Sequence, residues 1–303
     1  MSNAPHSSEH FGEQRDFWWH KDFLDLMARR WKLAEASSLA DIGCGLCHWS
    51  RLLYPYLREP ARLAAIDREK DWVARGRETF RNAFPEVSPE LLNFAIGDAT
   101  SIPLLDESFE VVTCQTVLMH LEDPRKALRE MVRILRPGGV LICAEPNNLW
   151  NYVALTSLTP DEPVDRITRR FEFWVRYHRG KLAEGKGDHS IGDLLPGYFQ
   201  EVGLDGIQVY QSDRAASIFP PYASREQQAL IAQEKLSQKS SLGSWDREEV
   251  RRQVLRGGGS PEFFESVYAE LILKFDAEQG AIRDHRFHAA FGSLMYLVSG
   301  RKT

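Results

Sequence analysis

The sequence predicts an α/β protein built on an open, mainly parallel sheet with helices on both faces, and three observations carry that expectation. Between residues 38 and 146, short apolar runs alternate with amphipathic stretches, the rhythm of strands separated by crossover helices. Glycines or carboxylates close the first three apolar runs, at Asp41-Ile42-Gly43-Cys44-Gly45, at Asp67 and at Gly97-Asp98. The chain has 303 residues, 43% of them hydrophobic and 27% charged, enough to bury a large core, in one elaborated domain with insertions sooner than in two small ones.

Leu39 to Ile42 reads as the first strand. A helix from Cys47 to Leu57 follows, with Trp49, Leu52, Leu53 and Tyr56 at helical spacing and Pro55 placed to kink or end it. Arg62 to Ile66 is the second strand, Lys70 to Phe84 the second helix and Leu92 to Ile96 the third strand. Glu110 to Gln115 makes a fourth. Asp123 and Pro124 then open a helix as N-cap and first residue, with Leu128, Met131, Val132 and Leu135 turned inward. Arg136-Pro137-Gly138-Gly139 supplies a turn before a fifth strand, Val140 to Ala144. Beyond Pro146, helices are predicted at Thr168 to Leu182 and Ile191 to Val202, and a strand at Gly206 to Gln211. Helices dominate from Arg225 to about Ile282. The clearest carries Phe263, Phe264, Val267, Tyr268, Leu271, Ile272 and Phe275 on one stripe, after a flexible break at Gly257-Gly258-Gly259-Ser260. Ser293 to Ser299 reads as a last strand. Ahead of the sheet, Phe23, Leu24, Met27 and Trp31 mark a further helix, and Phe11, Phe17, Trp18 and Trp19 crowd before it, either as core packing or as cover for a pocket.

A formal charge of -5 argues against a surface built to grip phosphate backbones, so nucleic acid is not the expected partner. No stretch approaches the roughly 18 apolar residues that cross a bilayer, and the polar start Met1 to Glu9 has no apolar signal core; a cytoplasmic protein is expected. Cys44, Cys47, Cys114 and Cys143 lie in apolar or glycine-rich segments, as reduced thiols do. Cys44-x-x-Cys47 has no second pair at finger spacing, so no metal is expected.

Open α/β sheets bind ligands beyond the carboxyl ends of their strands, and that is where chemistry is sought. Gly43 and Gly45 let the backbone approach a ligand closely, ahead of a helix that offers unpaired N–H groups. Asp67 ends the second strand, where a carboxylate can accept from both hydroxyls of a ribose. Asp98, within Gly97-Asp98-Ala99, is placed to accept from an exocyclic amine. Each alone could be a helix cap or a solvated turn; three at successive strand ends point to a nucleoside.

Leu39-Ala40-Asp41-Ile42-Gly43-Cys44-Gly45, Ala65-Ile66-Asp67, Gly97-Asp98-Ala99, Phe109-Glu110-Val111-Val112 and Leu135-Arg136-Pro137-Gly138-Gly139-Val140-Leu141 resemble the ordered motifs of class I S-adenosylmethionine-dependent methyltransferases, nearest the ubiquinone/menaquinone-biosynthesis type. The resemblance covers residues 38 to 146, about a third of the chain. It implies a Rossmann-like, doubly wound, seven-stranded sheet whose last strand is antiparallel and inserted between strands five and six. It also implies S-adenosyl-L-methionine as cofactor. Gly43 and Gly45, with Cys44 between them, would approach its methionine part, and Asp41 would support that loop or the amino group. Asp67, with Arg68 beside it, would hold the ribose; Asp98 and Ala99 would frame the adenine; Gln115 would lie beside the sulfonium. The third glycine that the family often has at the position of Cys47 is absent. An NAD-dependent oxidoreductase fits worse, because its fingerprint needs glycine at His48. A non-catalytic methyltransferase-like binding module is the other alternative.

Two residues are candidates for chemistry. His120 lies between strand four and its helix and could act as general base or simply bond the loop. Glu145 follows strand five and could neutralise a cationic acceptor or tie down the Pro146-Asn147-Asn148 turn. The run Arg166, Arg169, Arg170, Arg176, Arg179 and Lys181, interleaved with Phe171, Phe173, Trp174 and Tyr177, reads as a solvated helix face or as a surface for an anionic substrate. The expected organisation is an N-terminal helical cap (1–37), the cofactor-binding core (38–146), helical insertions at 147–190 and 216–288, and the rest of the sheet at 191–215 and 289–303. The insertions are expected to form a lid over a small-molecule acceptor, methylated at oxygen or nitrogen sooner than carbon, or to serve as added core or a dimer contact, the protein being a monomer or homodimer.

Overall fold

The structure is a computed structural model that describes residue 15 and residues 17–237, 246–291 and 294–303. Met1 to Glu9, Phe11 and Ser293 lie outside the described residues. The chain divides into two compact units: a sheet unit of Trp19–Asn147, Ser190–Asp213 and Met295–Thr303, and a helical unit that includes Asn148–His189 and Arg214–Leu294.

In the sheet unit the strands are β1 (Ser38–Ile42), β2 (Arg62–Asp67), β3 (Leu92–Ile96), β4 (Phe109–Gln115), β5 (Leu135–Asn147) and β6 (Leu204–Gln211). Their helices are α1 (Lys21–Trp31), α2 (His48–Leu53), α3 (Lys70–Ala83), α4 (Pro124–Ile134) and α6 (Leu195–Glu201). In the helical unit lie α5 (Val164–Ala183), α7 (Arg225–Ser237), α8 (Arg247–Arg256), α9 (Pro261–Arg283) and the short strands β7 (Ala216–Ile218) and β8 (Ala289–Phe291). The last strand, β9, is Leu294–Lys302.

The sheet runs β3-β2-β1-β4-β5-β9-β6. β1 to β5 pair in parallel, and β9 pairs antiparallel with β6, Val298 opposite Val209. This is the predicted seven-stranded topology with its last strand inserted. β1 is buried along its whole length, as a strand flanked on both edges and covered on both faces must be. Ala40, Ile42, Val112, Cys114, Leu141 and Cys143 belong to one core cluster with residues of α4 and α6. On the opposite face, Trp49 of α2 donates its indole N–H to Thr113 at 2.7 Å.

Where boundaries differ from expectation, the cause is packing. The Asp123 carboxylate caps α4, accepting from the Lys126 N–H at 3.0 Å, but Leu135 already starts β5. Residues 136–139 are not a turn ahead of the strand but a bulge within it, since Leu135 lies opposite Phe109 and Val140 opposite Val111. The helix after β1 stops at Leu53, with Tyr54–Tyr56 continuing as a 3-10 turn around Pro55. Trp19 is buried, 5.0 Å between ring centroids from Trp49, so this member of the aromatic crowd is core.

In the helical unit the stretches read as two insertions interleave. Phe173, Trp174 and Tyr177 of α5 share a core with Val250 and Val254 of α8 and Phe264, Val267, Tyr268 and Leu271 of α9. α5 and α8 meet backbone to backbone: a Cβ on Gly180 would lie 1.9 Å from the Gln253 carbonyl oxygen, and one on Gly257 1.9 Å from that of Arg176. The glycine run is thus a packed corner in place of a flexible break, and Ser260 caps α9 by accepting from the Phe263 N–H at 3.1 Å. Arg169, Arg170 and Arg176 of the basic run pair with Glu270, Glu162 and Glu172. Their charge is neutralised within the unit, while Phe173, Trp174 and Tyr177 fill its core. Strands β7 and β8 form an antiparallel ribbon that sequence periodicity did not announce, because each has three residues. Among the described residues no helix is long and apolar enough to cross a membrane.

Candidate active site

The turn after β1 is built from backbone that glycine favours: Gly43 at φ 71°, Gly45 at φ 50° and Cys47 at φ 57°. The Gly43 and Cys44 N–H groups donate to the Ile66 carbonyl at 2.7 and 3.0 Å, which fastens the turn to β2. Gly43 is needed twice over, because a Cβ there would meet Val117 Cγ2 at 2.4 Å. Cys47 occupies the position of the missing third glycine and takes up its left-handed backbone, at a cost of about 1–2 kcal/mol. Cys44 and Cys47 are both buried in this turn, so their spacing belongs to the turn itself.

Asp67 is the second fastening. Its Oδ2 accepts from the Gly45 N–H at 2.9 Å and its Oδ1 from the Glu69 N–H at 3.0 Å, so one carboxylate joins the end of β2 to the glycine turn. Asp41 is buried, and its Oδ2 has no hydrogen-bond partner. Burial pushes its acid up to about 7, against the pull of Ser50. Asp98 is exposed and turned on its own loop, where Oδ1 accepts from the Thr100 N–H and hydroxyl, both at 2.7 Å. Those bonds first, and the charge of Arg68 more weakly, hold its acid below the ordinary carboxylate range. Arg68 is exposed beside Glu69, and Ala99 is half-buried.

Gln115 ends β4, buried, with its Nε2 unpartnered. Thr116 then takes φ 52° and turns the chain into a 3-10 segment, Leu118–His120. His120 is exposed at its end. Glu145, 0% exposed, is turned to this segment and not to residues 146–148: Oε1 accepts from the Val117 and Leu118 N–H groups at 2.7 and 2.8 Å, and Oε2 from that of Met119 at 3.3 Å. Burial raises its acid to about 7 despite those bonds.

All the sequence-predicted site residues stand at carboxyl ends of five adjacent parallel strands. Contacts join Asp67 to Gly45 and Gly43 to Val117, whereas Asp98 and Ala99 sit on a separate turn. Two buried polar atoms at the ends of β1 and β4, Asp41 Oδ2 and Gln115 Nε2, have no hydrogen-bond partner. An open acceptor and an open donor fit a ligand carrying both an ammonium and a carboxylate, as the methionine part of S-adenosylmethionine does.

Residues 40–143 match a family model described as a methyltransferase domain. Over this stretch, about a third of its length, the chain is similar to S-adenosylmethionine-dependent methyltransferases. The methyltransferase domain is 30% identical over 132 residues to the demethylmenaquinone methyltransferase of Listeria welshimeri, a match covering 43% of this chain and 52% of that one. It is also 34% identical over 134 residues to a 37.1 kDa protein in transposon TN4556 of Streptomyces fradiae, covering 44% of this chain and 35% of that one. The chain thus spans about half or less of these relatives. The solved structure of the YcgJ protein of Bacillus subtilis shares the fold, with a TM-score of 0.50 and 19% identity over 93% of this chain and 99% of that one. Val117 and Thr116 escaped the sequence reading. The methyltransferase motifs contain no signal for them, since their role is set by what Gly43 leaves open.

Proposed function

We propose that the protein transfers a methyl group from S-adenosyl-L-methionine to oxygen or nitrogen of a small-molecule acceptor. The observation that carries this reading is the glycine turn held by Asp67 beside Asp41, whose Oδ2 has no hydrogen-bond partner. Bound there, the cofactor supplies a methyl group made electrophilic by its sulfonium. The chain's own work is then to hold and align. Gly43, Cys44 and Gly45 bring backbone close to the methionine part, Asp41 receives its ammonium, Asp67 and Arg68 take the ribose, and Asp98 with Ala99 borders the adenine. Gln115 lies beside the sulfonium, and His120 accepts the acceptor's proton at an imidazole nitrogen. Calorimetry with S-adenosylhomocysteine and radiolabelled methyl transfer test the reading. Binding of a nicotinamide dinucleotide instead would refute it, and cofactor binding without transfer to any acceptor would leave a binding module.

His120→Ala is expected to lower kcat by about a hundredfold or more while S-adenosylhomocysteine affinity stays unchanged. Unaltered turnover would return His120 to a purely structural part.

The pH dependence follows from Asp41, whose acid stands at about 7 against an ordinary 3.8. Stability from this retained proton is complete below about pH 4 and is lost as pH rises through 7, a window that Glu145 shares. A ligand ammonium beside Asp41 favours the anion. Affinity for S-adenosylhomocysteine should therefore climb by up to about tenfold per pH unit from pH 5 to 7, with proton release, and level off above. Calorimetry in buffers of different ionisation enthalpy measures this, and Asp41→Asn should make the profile shallower, leaving the share that Glu145 contributes. A flat wild-type profile would contradict the role given to Asp41.

A further inference from the structure

We propose that Glu145 is a positioning residue: its carboxylate clamps the turn after β4, and through Val117 that clamp sets the glycine turn that receives the cofactor. The inference rests on the methyltransferase reading and goes beyond it, since a residue at this strand end would be expected to face a substrate.

Three backbone N–H groups, of Val117, Leu118 and Met119, converge on the one carboxylate. They are the groups a 3-10 start leaves without intrahelical acceptors, and an anion offering lone pairs and no donor suits them. The segment needs such a clamp. Thr116 at φ 52° enters it through backbone that a β-branched residue disfavours. The Thr116 N–H is tied to the Ala144 carbonyl at 2.9 Å, so the strain is held between the ends of β4 and β5. On its other side the Glu145 backbone is held by the turn Ile191–Leu194, where a Cβ on Gly192 would meet the Glu145 carbonyl oxygen at 2.6 Å. The carboxylate is thus anchored to a strand and not to a loop.

The consequence reaches the cofactor turn through Val117. Its Cγ2 fills the space that Gly43 leaves, 2.4 Å from where a Cβ would stand. Releasing residues 117–119 therefore loosens the support of Gly43, while the bond between Asp67 and Gly45 on the far side remains. His120 travels with the same turn, its N–H bonded to the Val117 carbonyl at 3.0 Å.

Glu145→Gln tests this with little change of volume. An amide accepts on one oxygen and presents its NH2 to at least one of the three N–H groups. S-adenosylhomocysteine affinity is expected to fall about tenfold or more. Hydrogen exchange at Val117, Leu118 and Met119 should quicken at least as much, with Val112 and Leu141 in the neighbouring strands unchanged. Glu145→Asp, with its charge withdrawn by one methylene, should fall between. Unchanged affinity, or unchanged exchange at the three amides, overturns the clamp. If the glutamine variant does not fold, the wild-type amides decide: protection equal to that of β4 supports the clamp, and exchange at open-loop rates overturns it. A wild-type protein that binds no S-adenosylhomocysteine would instead overturn the methyltransferase reading, before any variant is compared.

Discussion

Asp67→Ala will weaken binding of S-adenosylhomocysteine by tenfold or more without unfolding the chain. The carboxylate makes two charge-assisted bonds to backbone, at Gly45 and Glu69. The proposed ribose contact adds to them. Bonds to charged groups contribute about 1.5–3 kcal/mol each, and about 1.4 kcal/mol corresponds to tenfold in affinity. The turn itself should survive, because Gly43 and Cys44 remain bonded to Ile66 and α3 still packs on it, a Cβ on Gly76 lying 2.6 Å from the Gly45 oxygen. Calorimetry together with a melting curve separates the two effects. An alanine variant that binds as tightly as the parent would show that Asp67 serves the turn alone.

Gly180→Ala should disrupt the helical unit while sparing cofactor binding. In a helix interior this exchange ordinarily gains about 1 kcal/mol. Here the new Cβ would stand 1.9 Å from the Gln253 carbonyl oxygen, and backbone cannot swing aside as a side chain can. α8 must retreat from α5, withdrawing Val250 and Val254 from the core they share with Phe173 and Tyr177. Overpacking costs about 1–3 kcal/mol, and separation of two apolar faces adds to it. Denaturation should show a destabilised first transition, with S-adenosylhomocysteine affinity close to wild type. Undiminished stability would mean that the two helices do not meet this closely. The same packing governs any excision. Removing residues 216–288 alone would strip α8 and α9 from α5 and β7 from β8. A clean deletion has to take 148–189 with it and rejoin β6 to β9 by a short turn.

The inserted last strand was implied by the resemblance to class I methyltransferases, whereas the amino-acid sequence alone located the strands of the core and placed Asp41, Gly43, Asp67, Asp98 and Gln115 at their ends. These are legible because they depend on local periods and on one rule about parallel sheets, with each residue's position fixed by a few neighbours in the chain. Cys47 was legible only as a missing glycine; that its backbone keeps the glycine's left-handed turn came from the structure. Partnerships across distance are visible only in the folded chain. Glu145 meets N–H groups 26 to 28 residues before it, because β4 and β5 lie in register with Gln115 opposite Ala144. Val117 was invisible until Gly43 stood against it. Phe173 and Phe264 fall into one core although they come from stretches that look like separate insertions. A hydrophobic stripe declares that a face will be buried, but every apolar face is acceptable to every other at that level of description. The choice between them rests on close approaches such as Gly180 against Gln253, a matter of shape that no single segment encodes.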